Sequence, residues 1–343
     1  MHDEFTWIEN LVPDVLKTIR QRFTVLQQIS WLAPVGRRII AERLGISERT
    51  IRTETDYLKS QGLIDINHLG MVLTPKGEKT ISGLAPIIAK LFDESQTELR
   101  LAEKLGINRA IIVPGNADLQ DHVFGLLGTE LNAALDLLLP LGQNTITVLG
   151  GKTMAEIVPN LSSNLSHHRQ LMFVPGRGAL GESVEIQSNT VCQVMAHYSN
   201  GKYRALYLPE NVSPEVLRSL TQDPSIGEVL DYISNSDAVI HGIGAADVMA
   251  QRRDLDLTVK SQLRQQDAVV ECFGYFFNRS GQVIYKIPRI GLQLEDLFKI
   301  PHVFAVAAGT KKAAAIKAYM HNAPKQTWLI TDEGAANSIL NGI

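Results

Sequence analysis

Only two cysteines, Cys192 and Cys272, occur in 343 residues. They have no metal-ligand spacing, and one bridge would be a pointless framework in so long a chain; both are expected to be reduced and buried, and no metal site is expected. No apolar run reaches the roughly 20 residues that a membrane-spanning helix needs. The polar start Met1-His2-Asp3-Glu4 lacks the character of a signal peptide, so the cytoplasm is the expected location. A Walker A sequence is missing. Gly176-x-Gly178-x-x-Gly181 has dinucleotide-binding spacing, yet it stands mid-chain and no acidic residue lies at the distance of a ribose partner. A positioned acid–base pair is also missing, since Glu271 is a candidate carboxylate without a clear partner; no catalytic residues are expected.

Strong net charge is absent too, the balance being −3. Its distribution is uneven. From Lys17 to Lys59, nine Lys/Arg stand against four Asp/Glu, a balance of +5 that leaves −8 for the remaining chain. A basic module joined to an acidic body is the pattern of a protein that meets a polyanion at one end. The length calls for two domains, and 45% hydrophobic with 20% charged residues is a globular composition.

Leu44-Gly45-Ile46-Ser47-Glu48-Arg49, continued to Gly62-Leu63, reads as the turn and second helix of a helix-turn-helix. Gly45 supplies permissive backbone, Ser47 an N-cap and Gly62 the residue just past the helix end. Ile46 and Ile51 have the spacing of a hydrophobic staple. Ile51, Thr55 and Leu58 share an inward face, which leaves Arg49, Arg52, Thr53 and Asp56 facing out. Arginine and threonine in the first two turns reach base edges and phosphates when a helix enters the major groove. The candidate DNA-binding residues are therefore Arg37, Arg38, Ser47, Arg49, Thr50, Arg52 and Thr53.

The flanks complete a winged helix. Pro13 opens a helix to about Ser30, with Leu16, Ile19, Phe23, Leu26 and Ile29 as its stripe, and Gly36 to Leu44 forms a second, with Ile40 and Leu44 inward. Leu63–Ile66 and Met71–Thr74 read as strands around the turn Asn67-His68-Leu69-Gly70, where His68 is either a DNA contact or a solvated loop histidine. Such a module binds DNA or another protein. Glu78 to Leu105 reads as one linker helix, whose stripe Leu84, Ile88, Leu91 and Phe92 either pairs across a dimer or packs on its own body. The expected divisions are 1–85 for the winged helix, 86–106 for the linker helix and 107–343 for an effector-binding and oligomerisation domain.

In that last segment strand-like runs alternate with helix-length ones: Ala110 to Val113, Thr145 to Leu149, Gln170 to Val174, Arg204 to Leu208, Ala238 to His241, His302 to Ala307 and Trp328 to Thr331. The pattern predicts an α/β fold, a doubly wound parallel sheet whose ligands bind at the carboxyl ends of the strands. Four post-strand segments are glycine-rich with Lys, Arg or Thr nearby: Gly150-Gly151-Lys152-Thr153, Gly176-Arg177-Gly178-Ala179-Leu180-Gly181, Gly242-Ile243-Gly244 with Arg252 and Arg253 beyond, and Gly309-Thr310-Lys311-Lys312 opening a helix over 311–322. Backbone amides at such turns and helix starts face anions well. Together the four loops point to a small anionic ligand, a phosphorylated metabolite. Glu271, in an apolar run, either accepts sugar hydroxyls or is ion-paired, and His241 is either a ligand or a satisfied core histidine.

Pro34-Val35-Gly36-Arg37-Arg38, Leu44 to Arg49, Phe173 to Glu182, His241 to Gly244, Met249 to Arg253 and Thr331-Asp332-Glu333-Gly334-Ala335-Ala336 together resemble the SorC/DeoR family of bacterial transcription regulators over nearly the whole chain. The resemblance implies a sugar-phosphate-isomerase-like body and a repressor of a glycolytic triose-phosphate operon. It also implies double-stranded operator DNA as partner, fructose 1,6-bisphosphate as effector and homodimers that assemble into tetramers on DNA. Carried over by position, Thr153, Arg177 and the backbone of Gly178, Ala179, Leu180 and Gly181 would hold phosphate, with Arg252 and Lys312 as further phosphate ligands. Gln187 and Glu271 would meet sugar hydroxyls, and Gly151 and Lys152 complete the candidate effector set. Where the family carries two threonines after the double glycine this chain has Lys152-Thr153, which keeps a donor and adds a charge.

The alternative reading is a sugar-phosphate isomerase or deaminase with an appended winged helix. Turnover of fructose 6-phosphate or glucosamine 6-phosphate at enzymic rates would establish it. On the regulator reading, Arg49→Ala or Arg52→Ala should weaken operator binding by about 1–3 kcal/mol in a gel-shift titration and leave sugar-phosphate binding intact. Unchanged operator affinity in both variants would refute the recognition-helix assignment.

Overall fold

The computed structural model describes residues 11–44, 46–91, 96–179, 183–208, 214–220 and 222–342. Gly45, Phe92, Leu180 and Gly181, which figure in the sequence reading, lie outside the described residues. The chain forms two compact units, 1–99 and 100–343.

In the first unit, helices Pro13–Leu32, Arg37–Leu44 and Glu48–Ser60 are followed by an antiparallel hairpin of β1 (Ile64–Asn67) and β2 (Gly70–Leu73), then by helix Pro75–Leu91. Ile29, Ile40, Ile51, Leu58, Ile64 and Met71 make its core. The Ser47 hydroxyl accepts the Thr50 amide at 3.1 Å, which satisfies one of the orphan donors at the helix start. At the other end Gly62, at φ 69°, donates to Lys59 O, and Leu63 donates to Leu58 O at 3.0 Å. This pair of bonds is a Schellman ending, and it turns the chain directly into β1. In the wing turn, Asn67 Oδ1 accepts the amides of Leu69 and Gly70. Val35 bridges Met71 at the hairpin's other edge, an addition the sequence did not announce.

The region expected as one helix over 78–105 contains two, Pro75–Leu91 and Gln96–Leu105. The first starts three residues early because proline suits the first helical position and Thr74 Oγ1 caps the Gly77 amide at 3.0 Å. Ile88 is buried and Leu84 half-buried in it.

The second unit holds β3 (Arg109–Val113), β4 (Gly142–Val148), β5 (Arg169–Pro175), β6 (Lys202–Tyr203), β7 (Ala238–Gly242), β8 (Gly244–Ala245), β9 (Ala268–Cys272), β10 (Tyr275–Asn278), β11 (Val283–Lys286), β12 (His302–Val306) and β13 (Thr327–Asp332). Seven of these form one parallel sheet in the order β3-β13-β12-β7-β4-β5-β6. The chain moves outward from β4 through β5 to β6, then returns to the other side of β4 as β7. The carboxyl ends of β4 and β7 thus flank the topological switch point, where such sheets open a crevice. Val239, Ile240, Phe304, Ala305, Leu329 and Ile330 are fully buried, as strands covered on both faces require.

Three features depart from the sequence reading. The strand expected at Arg204 to Leu208 is irregular, and the edge strand is the shorter Lys202–Tyr203. The Asn189 side chain brackets Leu206, accepting its amide at 2.9 Å and donating to its carbonyl at 3.1 Å, so that backbone spends its bonds on a side chain and not on β5. The helix expected over 311–322 begins as a 3₁₀ turn, Thr310–Lys312, and continues as Ala313–Met320. The apolar run around Glu271 folds into a second, antiparallel sheet, β11-β10-β9-β8. Cys192 and Cys272 are free and buried.

Leu58 is 2% exposed and sits in the first unit's core, and Ser47 is the cap beside it. Leu58→Ala should destabilise that unit by at least about 2 kcal/mol and Ser47→Ala by about 1 kcal/mol. Hydrogen exchange should show Glu48–Ser60 amide protection falling roughly thirtyfold and fivefold, respectively.

Candidate functional site

On the helix Glu48–Ser60, Arg49, Arg52 and Thr53 are exposed, and among the described residues the two arginine side chains make no hydrogen bond or ion pair. Their guanidinium groups are therefore available to an outside partner. Thr53 returns its hydroxyl to Arg49 O, and the Thr50 hydroxyl meets Ser47 Oγ at 2.8 Å. Arg38 is exposed and pairs with Glu42 one turn along its own helix, an interaction of the weak surface kind. Arg37 differs. Its guanidinium donates to Thr55 Oγ1 at 2.9 Å and to Asp56 Oδ1 at 2.6 Å, bracing the short helix against the longer one. Asp56, expected to face outward, does so as the partner of this brace. The exposed face thus separates two free arginines from one committed to structure.

In the second unit a cavity of about 420 Å³ opens at the carboxyl edge of the parallel sheet. The loop after β4 contributes Gly151, Lys152 and Thr153; the turn after β5 contributes Arg177; β7 contributes Gly242, β8 Gly244 and the helix Ala246–Arg252 its Arg252; the loop after β12 contributes Lys312. All four glycine-rich loops meet there. Gly151, at φ 123°, and Gly309, at φ 98°, precede the turns that carry Thr153 and Lys312, and an L side chain rarely adopts such backbone. Thr153 and Arg177 are buried, at 8% and 5% exposure, whereas Lys152 stands exposed at the rim. The Lys312 ammonium donates to Thr153 Oγ1 at 2.9 Å, which joins two of the loops directly. Burial, followed by the nearby Arg252 guanidinium, lowers the Lys312 pKa to about 8.

Glu271 lines the cavity, but its Oε1 accepts both Arg253 Nη2 at 2.9 Å and the Gly274 amide at 2.8 Å. Both members of this ion pair are nearly fully buried. His241 is a core residue: its Nδ1 lies 3.0 Å from Gly242 O, its Nε2 lies 3.1 Å from the Tyr319 hydroxyl, and burial lowers its pKa to about 4. His68 is exposed in the wing turn.

Three candidate ligands stand outside the cavity lining, namely Gln187, Gly178 and Ala179. Gln187 heads the helix Ser188–Ser199, behind the Gly151 loop, where the preceding carbonyl of Ile186 accepts the Gly151 amide at 2.8 Å. Its segment buttresses the loop. The Ala179 amide is committed to Leu208 O at 2.7 Å and is not available to an anion. Conversely, sequence reasoning missed Asp118 and Arg289, which line the cavity from loops without a glycine signature, Phe124 from the helix His122–Leu138 and Cys272 from the end of β9. Arg289 Nη2 donates to Gly176 O at 3.3 Å and so underpins the Arg177 turn. Among the described residues no group of three His, Cys, Asp or Glu is placed to hold a metal, and no helix is long and apolar enough to cross a membrane.

A winged helix and, separately, an α/β unit with a cation-lined cavity at its switch point define a ligand-responsive, DNA-binding regulator. Comparison with known proteins sharpens the class. Residues 89–341 match the family model described as "Putative sugar-binding domain", and residues 18–88 match the one described as "CggR N-terminal DNA binding domain". The chain is 41% identical over 332 residues to the central glycolytic genes regulator of Bacillus subtilis, covering 97% of each, and 38% identical over 330 residues to that of Priestia megaterium, covering 96% of each. A crystal structure described as a "putative SorC family transcriptional regulator" from Enterococcus faecalis is 52% identical, with a TM-score of 0.69 over 72% of this chain and 100% of that one. The chain belongs to the SorC/DeoR family of sugar-binding transcription regulators, in the branch of the central glycolytic genes regulators.

The Lys312 environment sets a pH dependence. A bound phosphate stabilises the ammonium, so above pH 8 binding must take up a proton, and affinity falls as pH rises. Isothermal titration with a phosphorylated sugar should show roughly tenfold weaker binding at pH 9 than at pH 7. Lys312→Met should bind more weakly at pH 7 and lose that slope.

Proposed function

We propose that this chain is a cytoplasmic transcriptional repressor of glycolytic genes, those of a triose-phosphate operon. It holds double-stranded operator DNA through Arg49, Arg52 and their neighbours and is loosened by a phosphorylated sugar, fructose 1,6-bisphosphate. The observation that carries the reading is the convergence of Lys152, Thr153, Arg177, Arg252 and Lys312 on one cavity at the sheet's switch point. Cations and loop amides gathered in a partly buried crevice suit a phosphate ester better than a neutral sugar. Two ester groups make fuller use of five cationic or donor side chains than one. The names of the Bacillus and Priestia relatives support the glycolytic assignment.

Repression is relieved by linkage. The effector must bind the DNA-competent and DNA-incompetent assemblies unequally, and the difference in affinity sets the size of the response. Homodimers that pair into tetramers on the operator supply two such assemblies. An enzymic role is not supported. Glu271, the one carboxylate suggested for proton transfer, already accepts Arg253 and the Gly274 amide, and His241 is buried away from the cavity lining. The relatives and the Enterococcus neighbour are regulators.

A thermal-shift panel of glycolytic phosphates should show the largest rise in Tm with fructose 1,6-bisphosphate. Arg177→Ala should weaken that ligand roughly ten- to hundredfold, the cost of a lost charged hydrogen bond, and leave operator binding unresponsive to it. A full response in this variant would remove Arg177 from the site, and no shift with any sugar phosphate would refute the effector reading.

A further inference from the structure

The cavity carries one acidic loop opposite its cations. Residues 115–118, just after β3, are laced to the loops after β12 and β13 by side-chain bonds. Asp332, fully buried at the end of β13, accepts the Gly309 amide with both oxygens, at 3.0 and 2.9 Å, and with Oδ2 also accepts the Ala117 amide at 2.6 Å. Asn116 Nδ2 donates to Thr310 Oγ1 at 3.0 Å. Asp118 Oδ2 accepts the Lys311 amide at 2.9 Å. Gly309 is held so closely that a Cβ there would lie 2.7 Å from Asp118 Oδ1. Two carboxylates therefore grip the backbone on either side of Thr310, just before Lys312.

We propose that Asp118, anchored by Asp332, is a positioning residue of the anion site: its carboxylate fixes the loop that carries Lys312 and places a negative charge beside that ammonium, so the cation is aimed and charged before an anion arrives. The role rests on the effector-site reading above, in which Lys312 is a phosphate ligand.

The other groups facing Lys312 make such help necessary. Arg252, from the helix Ala246–Arg252, opposes its charge, as does burial. Thr153 accepts its hydrogen bond but is neutral. Cys272, from β9, is kept protonated by burial and brings no charge. Glu271 is engaged by Arg253, a pair of no net charge. Lys152 is exposed to solvent and adds a screened repulsion. The carboxylates that support the ammonium are Asp118, the larger contributor, and Asp332.

The test uses the full chain. Lys312 is titrated in ligand-free protein by the 13Cε resonance that disappears in Lys312→Arg, and fructose 1,6-bisphosphate affinity is measured from pH 6 to 9.5. D118N keeps an oxygen acceptor for the Lys311 amide and removes only the charge. It should lower the Lys312 midpoint by roughly half a pH unit or more and move the alkaline loss of affinity down with it. At pH 6, where Lys312 is charged in either protein, D118N should bind within about twofold of the parent. D118A also removes the acceptor and should bind more weakly at pH 6 as well. A midpoint in D118N equal to the parent's, or equal affinity of D118A and D118N at pH 6, would overturn the assignment. Failure of the parent itself to bind the bisphosphate would instead refute the effector reading, and the ligand-free titration would still decide what Asp118 does to Lys312.

Discussion

A parallel ladder obliges every strand to run the same way, so each strand's carboxyl end opens on one edge of the sheet. In this protein that constraint does most of the assembling. The glycine-rich loops after β4, β5, β7 and β12 are separated by up to about 160 residues of chain, and they meet because their strands share a direction. The reversal of strand order between β4 and β7 then opens the crevice that the loops surround. Nothing local brings Thr153 to Lys312; the register of the sheet does, and their 2.9 Å hydrogen bond records the result.

Cations collected in a partly buried place repel one another, and the unit offsets this in different ways at different depths. Arg253 is neutralised by Glu271, whose Oε1 also accepts the Gly274 amide. Replacing either partner alone would leave an uncompensated buried charge, a more costly state than the pair. Lys312 has no such dedicated partner. Its charge is supported by carboxylates whose oxygens are already bound to backbone amides, which leaves the ammonium directed at the cavity. A cation so held is a better anion ligand than one satisfied by a salt bridge.

The N-terminal unit solves a different problem with a small core. Its recognition helix is held by the buried side chains Ile51, Thr55 and Leu58, by its own cap and ending, and by Arg37 on Asp56 and Arg22 on Glu54 and the Tyr57 ring, which leaves Arg49 and Arg52 free of structural duty. Free arginines on a rigid helix suit a polyanion whose contacts must be made and released, since both the binding and its relief depend on charge and salt. The two units thus address anions of different size with different devices, a helix face and an enclosed cavity.

Much of this could be read in the residues themselves where the cause is local. Ser47, Gly62 and the Ile51-Thr55-Leu58 spacing specify a helix with its ends and its inward face, and six of the seven parallel strands follow from short β-branched runs between helical segments. The glycine-rich loops pointed to an anion site because backbone amides at a helix start, with lysine and threonine beside them, suit negative charge. What tertiary structure alone decided was which of those groups face the cavity. Gln187 was left outside the cavity lining, the Ala179 amide was turned to Leu208 O, Asn189 took the backbone that would have extended β6, and Asp118 and Arg289 entered the site from segments without any periodic or motif signature. Periodicity reports which side of an element is buried, whereas the partner of a buried polar group is fixed by neighbours distant in the chain, and only the folded sheet brings them within hydrogen-bond reach.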